Sequence, residues 1–428
     1  MRVLYHIIVH ALLLATVPYV LGRCIFNGRF RRDALARLSS IKETPKDHGG
    51  IWIHASSVGE VRTAVPMRRT MIEMGFRPIL STFTETGYKL AKKENLKPTF
   101  RLPPDSAIWM SHLLDRLKPS VLVLVEAELW PALLWQCKAR NIPVILINGR
   151  VSSKSFSRYS KLNSFFRLIE NAITLFSMRS EQDAERVKML GVSPTKIYVT
   201  GNIKFDAIPS GTINFKKLEQ NDFPMIVFGS TRPGDEEPIL QAVKKLFEEF
   251  PSLQCILAPR HVERTQEIEE LIKSYELNCV RHSEAFIENT FSTSSPFRLL
   301  GQHDGKPKIL LVDTVGYLND YYIKSNIAFV GGGFDPRFGG HNILEAAACK
   351  QPVIYGKHME NFEEEVRLLN QSGGGIQLDS PEHLYSTLRR LLKNPKERVK
   401  LGKAAFKTVL LNRGAVHKNI ELIESFFR

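Results

Sequence analysis

Short runs of Val, Ile and Leu alternate with longer stretches of helical period along this chain. Residues 50–55, 78–82, 120–126 and 142–148 each string apolar side chains together almost without interruption. Unbroken runs of that length are what strands buried on both faces of a parallel sheet require, whereas a half-exposed strand alternates. Behind the first run, residues 58–74 read as a helix. A second series follows at 225–229, 253–258, 309–313, 327–331 and 352–356, again with helical stretches between the runs. Two successive βα series predict an α/β protein of two doubly wound, Rossmann-like domains facing each other across a cleft. The change of series falls near residues 207–221, which carry Pro, Gly and Asn, so domains of 25–208 and 209–428 are expected. Residues 282–305 are polar and patternless and read as an insertion loop.

Ahead of both series, residues 3–22 are apolar, relieved mainly by His6, His10, Thr16 and Pro18. A helix of that length rises about 30 Å, the thickness of a hydrocarbon core. Residues 1–24 are therefore expected to form a membrane anchor. Arg2 precedes the apolar run, while Arg23, Arg29, Arg31 and Arg32 follow it. That excess predicts that the bulk of the chain stays on the cytoplasmic side. A cleaved signal peptide shares the apolar signature, but Arg23 before Cys24 makes a poor cleavage position. The two histidines and the proline also suit a helix lying on the membrane.

Composition adds one strong constraint. The 428 residues exceed one ordinary core, and a net charge of +15 draws the chain towards anions. Nucleic acid is not the expected anion, because no RNA or DNA motif and no basic run interleaved with aromatics is present. The five cysteines lack C-x-x-C pairs and neighbouring histidines at ligand spacing, which speaks against zinc and a disulfide framework and for a reducing compartment.

Ligands of open α/β sheets bind beyond the carboxyl ends of the strands, so the loops there carry the candidate chemistry. In the second series, Gly229-Ser-Thr-Arg-Pro-Gly-Asp-Glu-Glu237 runs from strand to helix, where small residues let backbone N–H groups approach an anion. The acidic run 235–237 is equally ordinary chemistry for a helix start. Arg260 and His261 end the next run and offer donors to a phosphate or carboxylate. Gly331-Gly-Gly333 follows a strand, and Gly339-Gly-His-Asn-Ile-Leu-Glu345 opens a helix that puts Asn342 and Glu345 on one face, suited to a ribose diol. Three such loops on one sheet edge point to a nucleotide. In the first series, His54-Ala-Ser-Ser-Val-Gly-Glu-Val61 places Glu60 in the first turn of a helix, a ready but weak base or a plain first-turn carboxylate. Thr82-Phe-Thr-Glu-Thr-Gly87 and Val125-Glu-Ala-Glu-Leu-Trp-Pro131 end two further strands, with Glu126 directly after an aliphatic run.

Together the stretches H-A-S-S-V-G-E-V, T-E-T-G, E-A-E-L-W-P, N-G-R-V-S, S-E-Q-D-A, G-N-I-K-F-D, G-S-T-R-P-G, A-P-R-H, G-G-H-N-I-L-E and N-F resemble, in order from residue 54 to 362, the 3-deoxy-D-manno-octulosonic acid (Kdo) transferases. These are inverting glycosyltransferases of the GT-B fold. The resemblance implies a CMP-Kdo donor in the C-terminal domain, a lipid A precursor (lipid IVA) as acceptor at the N-terminal domain, and no metal or cofactor. It implies Glu60 as catalytic base and Glu126 as a supporting carboxylate. For the donor it implies Lys204, Ser230, Thr231, Arg260, His261, Gly316, Gly332, Asn342 and Glu345. For the acceptor it implies Ser57, Gly59 and Thr84, with Arg62 and Arg150 as candidates for lipid phosphates alongside Arg68, Arg69 and Arg158. Anionic lipids of an inner membrane complete the expected partners. Two positions depart from the family pattern: Tyr317 stands where D-T-x-G-E-L has Glu, and Ala346 where L-E-P has Pro. A UDP-sugar enzyme of the same fold is the main alternative and predicts protection by UDP instead of CMP.

Overall fold

The computed structural model describes residues 2–28, 31, 44–46, 48–207, 224–287 and 308–426. The chain divides into two compact units, Met1–Ala207 with Asn412–Arg428, and Ile208–Leu411.

Unit 1 is built on seven parallel strands: β1 Ile51–His54, β2 Ile79–Thr82, β3 Thr99–Arg101, β4 Val121–Val125, β5 Val144–Gly149, β6 Leu175–Met178 and β7 Ile197–Val199. Their order is β3-β2-β1-β4-β5-β6-β7. The sequence runs at 50–55, 78–82, 120–126 and 142–148 become β1, β2, β4 and β5, and every residue of these four strands is buried. Helices cover both faces and enclose two cores, one around Trp52, Leu122, Leu133 and Phe166, the other around Ile53, Val61, Met67 and Val123. Strand order reverses between β1 and β4, which makes the ends of those two strands the natural ligand position.

Unit 2 repeats the plan with β8 Met225–Thr231, β9 Gln254–Pro259, β10 Asn278–Arg281, β11 Lys308–Leu311, β12 Ile327–Val330, β13 Val353–Tyr355 and β14 Gly375–Gln377. All are parallel, in the order β10-β11-β9-β8-β12-β13-β14, with the reversal between β8 and β12. The expected insertion loop at 282–305 begins instead with a helix, His282–Ile287. The rest of that stretch, the linker at 208–221, and Arg29 and Arg32 lie outside the described residues.

The C-terminus differs from the sequence-based division, which runs the second domain to residue 428. Residues Asn412–Arg428 belong to unit 1. The helix Ala415–Glu424 buries Val416, Ile420 and Ile423 in the core that contains Ile53 and Val61. Asp206 accepts the N–H groups of Gly414 (2.7 Å) and Val416 (2.8 Å), satisfying orphan donors at the helix start. Asn419, fully buried, donates to Thr200 Oγ1 (3.0 Å) and accepts from Ser177 Oγ (2.6 Å).

Within unit 2 the helix Pro395–Leu411 packs closely on the turn that ends Leu344–Ala348. A Cβ at Gly402 would stand 1.9 Å from the carbonyl oxygen of Lys350, itself in the left-handed region at φ 60°. Neither backbone can give way cheaply. Gly402→Ala is expected to destabilise unit 2 by about 1–3 kcal/mol, the usual cost of overpacking. A denaturant midpoint equal to that of the wild type would contradict this contact.

At the N-terminus, Arg2–Phe26 forms a helix of 25 residues, long and apolar enough to cross a membrane by length and composition.

Candidate functional site

The reversal point of unit 1 gathers carboxylates. Glu60 lies in the first turn of the helix Val58–Glu73, and its Oε2 accepts the N–H of Ser57 at 3.0 Å. Burial, then the neighbouring charge of Glu128, pushes its pKa up to about 8, against the opposing pull of the Ser57 N–H. Glu128, three residues beyond β4, is also raised, chiefly by burial. It accepts from Trp130 Nε1 at 2.8 Å and shares a hydrogen bond with the Glu60 side chain. Two half-buried carboxyls in such contact hold one proton between them, because both cannot ionise cheaply. Glu126 adds a further negative charge to both. It sits in the left-handed region at φ 64°, with its N–H on the Ile147 carbonyl at 2.9 Å, and turns the chain sharply off the strand. The family resemblance implies Glu126 as the supporting carboxylate, and in the structure Glu128 acts on Glu60 more strongly than Glu126 does.

Behind the pair stands His54, fully buried. Its Nδ1 lies 2.8 Å from Ser81 Oγ, which also accepts from Trp52 Nε1 at 2.8 Å. Burial holds His54 down to about 3, so the ring is neutral and its 3.9 Å approach to Glu128 is no ion pair.

Of the expected acceptor residues, Thr84 is committed to structure: its hydroxyl donates to the Ser56 carbonyl (3.0 Å) and accepts from Gly87 N–H (3.1 Å). That bond holds the T-E-T-G loop against Ser56 and Ser57. Gly59 and Arg62 are exposed, and Ser57 and Arg150 are half-buried. Arg158 is exposed. Arg68 is instead buried, donating to the carbonyls of Pro78 and Lys97, and Arg69 pairs with Glu94 at 2.7 Å. Neither is placed as a phosphate ligand. Lys204, expected among the donor residues, lies in unit 1 within the turn Ile203–Phe205, its N–H capped by Asn202 at 3.0 Å.

Unit 2 gathers cations at its own reversal point. Arg232, in the loop after β8, donates from Nε to His341 Nε2 at 3.0 Å and lies 5.0 Å above the Phe338 ring. Burial and the charges of Arg232, Arg260 and His261 hold His341 down to about 4, leaving it neutral and able to accept. Arg260 and His261, both exposed, follow β9, and the Arg260 N–H is tied to the Thr231 carbonyl at 3.0 Å. Arg264 nearby is neutralised by Glu236 at 2.8 Å. The loop itself is held by Asp235, 1% exposed, whose Oδ2 accepts the N–H groups of Arg232 (2.8 Å) and Gly332 (2.6 Å). This one carboxylate ties the ends of β8 and β12 together. Ser230 adopts φ 56° and Gly332 φ 81°, and a Cβ at Gly332 would press to 2.9 Å on the His341 ring. Thr231 is buried beneath the loop.

Asn342 Nδ2 donates to Glu345 Oε1 at 3.0 Å, so the expected ribose pair is held together. Gly316, at φ 115°, lies in an open loop. Its neighbour Tyr317, standing where the resembling family has Glu, packs on His282 with centroids 4.5 Å apart and the rings inclined at 46°. Among the described residues no group of three His, Cys, Asp or Glu is placed to hold a metal.

The folds of solved proteins match over nearly the whole chain. A UDP-N-acetylglucosamine 2-epimerase of Listeria monocytogenes superposes with TM-score 0.60 at 15% identity, covering 89% of this chain and 96% of that one. MurG of Acinetobacter baumannii gives TM-score 0.57 at 13% identity, covering 88% and 98%. The two doubly wound units thus define a GT-B fold. Residues 29–207 match the family model for 3-deoxy-D-manno-octulosonic-acid transferase (kdotransferase). The 3-deoxy-D-manno-octulosonic acid transferase of Haemophilus influenzae is 32% identical over 394 residues, which is 88% of this chain and 87% of that protein. A bifunctional glycosyltransferase/methyltransferase of Fusobacterium nucleatum is 34% identical over 391 residues, 89% of this chain, but the chain spans 58% of that protein. The chain is a glycosyltransferase of the GT-B fold. It belongs to the Kdo transferase family.

Proposed function

We propose that this protein transfers Kdo from CMP-Kdo to a lipid A precursor, lipid IVA, at a membrane surface, with Glu60 as general base. The observation that carries the base is the Glu60–Glu128 pair, of which Glu60 sits in the first turn of the helix that follows β1 with its pKa pushed up to about 8. An acceptor hydroxyl loses its proton to Glu60 as its oxygen bonds to the anomeric carbon of Kdo. The bond from that carbon to the cytidylate phosphate breaks, and the electron pair leaves with CMP. A phosphate needs little protonation to depart. Arg232 and Arg260 supply positive charge for it and for the Kdo carboxylate, His261 donates a hydrogen bond to a phosphate oxygen, Asn342 and Glu345 meet the ribose, and Ser230, Thr231, Gly316 and Gly332 shape the backbone around the donor. Lys204 assists in neutralising donor charge, and Glu126 supports the base. Ser57, Gly59 and Thr84 border the acceptor, with Arg62 and Arg150 for its phosphates. Unit 1 takes the acceptor and unit 2 the donor, and the N-terminal helix holds both at the cytoplasmic side of an inner membrane rich in anionic lipid.

The test is to incubate detergent-purified protein with CMP-Kdo and tetraacylated lipid A precursor and weigh the lipid by mass spectrometry. A gain of one or more Kdo masses supports the reading. No gain, with UDP raising the melting temperature more than CMP, rejects it for a UDP-sugar enzyme. Arg232→Ala is expected to raise KM for CMP-Kdo about 10- to 150-fold, the loss of a charge-assisted hydrogen bond of about 1.5–3 kcal/mol. A KM within twofold of wild type would remove Arg232 from the donor site.

A further inference from the structure

The helix Arg2–Phe26 meets the body of unit 1 through its first turns. The Tyr5 hydroxyl donates to Asp105 Oδ2 at 2.8 Å. The same carboxylate accepts the N–H groups of Ala132 (2.9 Å) and Leu133 (3.0 Å), so it is already fixed as the cap of the helix Pro131–Ala139. The Tyr5 and His6 rings stand edge-on to Trp135 at 5.3 and 5.4 Å, and the Arg2 guanidinium lies 5.5 Å over the same ring. One turn on, His10 Nε2 is 3.3 Å from Ser106 Oγ. Beyond this dock Leu12, Leu14, Val17, Tyr19, Leu21, Ile25 and Phe26 are all exposed.

The dock decides how the helix can meet a bilayer. From Ala11 to Phe26 the helix extends about 24 Å away from its docked end. Were it to cross a hydrocarbon core about 30 Å thick while Tyr5 stays on Asp105, Phe26 would be delivered towards the far side. The chain would then have to cross back before Thr44, whose carbonyl accepts Arg116 Nε at 2.7 Å, and before β1. The returning segment contains Arg29, Arg31, Arg32, Asp33, Arg37 and Lys42, a composition that hydrocarbon does not accept. Spanning in the other sense, with Phe26 beside the units, would carry Tyr5 about 30 Å from Asp105. The dock and a membrane-spanning helix therefore exclude each other.

We infer that Arg2–Phe26 is an interfacial strut: it lies in the plane of the membrane surface, on the same side as both units, with its first turns fixed to Asp105 and Trp135 and the exposed face of Leu14, Val17, Leu21 and Ile25 in the headgroup–acyl boundary. Arg2 and Arg23 lie near its two ends, and Arg23 donates to the Tyr19 hydroxyl at 2.8 Å. The dock also has a direction. The helix that Asp105 caps follows directly on Glu128 and Trp130, so the strut holds the Glu60–Glu128 site beside the lipid surface. This rests on the membrane reading above and sharpens it.

The test uses the full chain reconstituted in vesicles of phosphatidylethanolamine and phosphatidylglycerol. A membrane-impermeant maleimide is applied to Arg2→Cys protein, and labelled positions are located by peptide mass spectrometry. Protease sensitivity reports which molecules have their units outside. A benzophenone side chain at position 5 reports what Tyr5 touches. The strut requires that Arg2→Cys and native Cys24 label together on outward-facing molecules, and that position 5 cross-links to peptides from 131–139. Labelling at position 2 only after detergent is added, or cross-links to lipid alone, overturns the strut while leaving membrane binding intact. Failure of the wild-type protein to float with vesicles overturns the membrane reading and the strut with it.

Discussion

Glu60→Gln is expected to lower kcat about 10²- to 10⁴-fold, the usual worth of a positioned general base. The amide keeps an acceptor for the Ser57 N–H, so the helix start is retained and the loss is chemical. KM for CMP-Kdo should stay near that of wild type. The wild-type pH profile gives the second arm. A base must be ionised to act, so kcat/KM should rise about tenfold per pH unit below the pKa and level off above about 8. Glu128→Gln removes a neighbouring negative charge, and the rise should move to lower pH. Stability moves the opposite way. With the folded-state pKa raised above the ordinary 4.5, the native protein binds more protons than the unfolded chain between about 4.5 and 8. Stability is therefore lost as pH climbs through that window. Glu60→Gln escapes the loss, so its melting temperature should gain on wild type from pH 5 to pH 9. A folded Glu60→Gln protein that turns over at near wild-type rate would end the assignment of Glu60 as base. A pH-independent kcat/KM would end the role of the pair in tuning it.

The pair also shows where sequence is legible and where it stops. Central strands such as β4 and β5 are covered on both faces, so burial writes them as unbroken aliphatic runs. The strands β3, β7, β10 and β14 lie at sheet edges and span three or four residues, and β7, β10 and β14 carry no buried residue, so no run marks them. The helix Ala415–Glu424 is amphipathic, but nothing in its own pattern says which unit its apolar face will join. Glu60 could be read because a carboxylate in a first helical turn after a strand has a defined place. Glu128 could not be separated from Glu126 by spacing alone, since the left-handed turn at Glu126 decides which of them approaches Glu60. His341 lies within G-G-H-N-I-L-E, yet its signal as an acceptor for Arg232 exists only once two loops distant in sequence come together.

Asp235 is the sharpest case, and its replacement carries the largest expected effect on stability. A run of three acids at the start of the helix Glu236–Glu249 looks like ordinary complement to the helix dipole. Two of the three are instead buried, Asp235 at 1% and Glu236 at 2% exposure, with different tasks. Glu236 neutralises Arg264, while Asp235 bonds the loop after β8 to the loop after β12. Asp235→Ala leaves the Arg232 and Gly332 N–H groups without that acceptor. At about 1–3 kcal/mol for each unsatisfied group, unit 2 should lose about 2–6 kcal/mol. The site should suffer with it, because the same two loops present Arg232 and Gly332. Asp235→Asn retains one carbonyl oxygen and should recover part of the loss. The measurement is denaturant unfolding of each variant with and without CMP. The expected order is wild type, Asn, then Ala, with the stabilisation by CMP weakest in the Ala protein. An Ala variant as stable as wild type and equally protected by CMP would show that the two loops hold their positions without the carboxylate, and that the donor site is organised from elsewhere in unit 2.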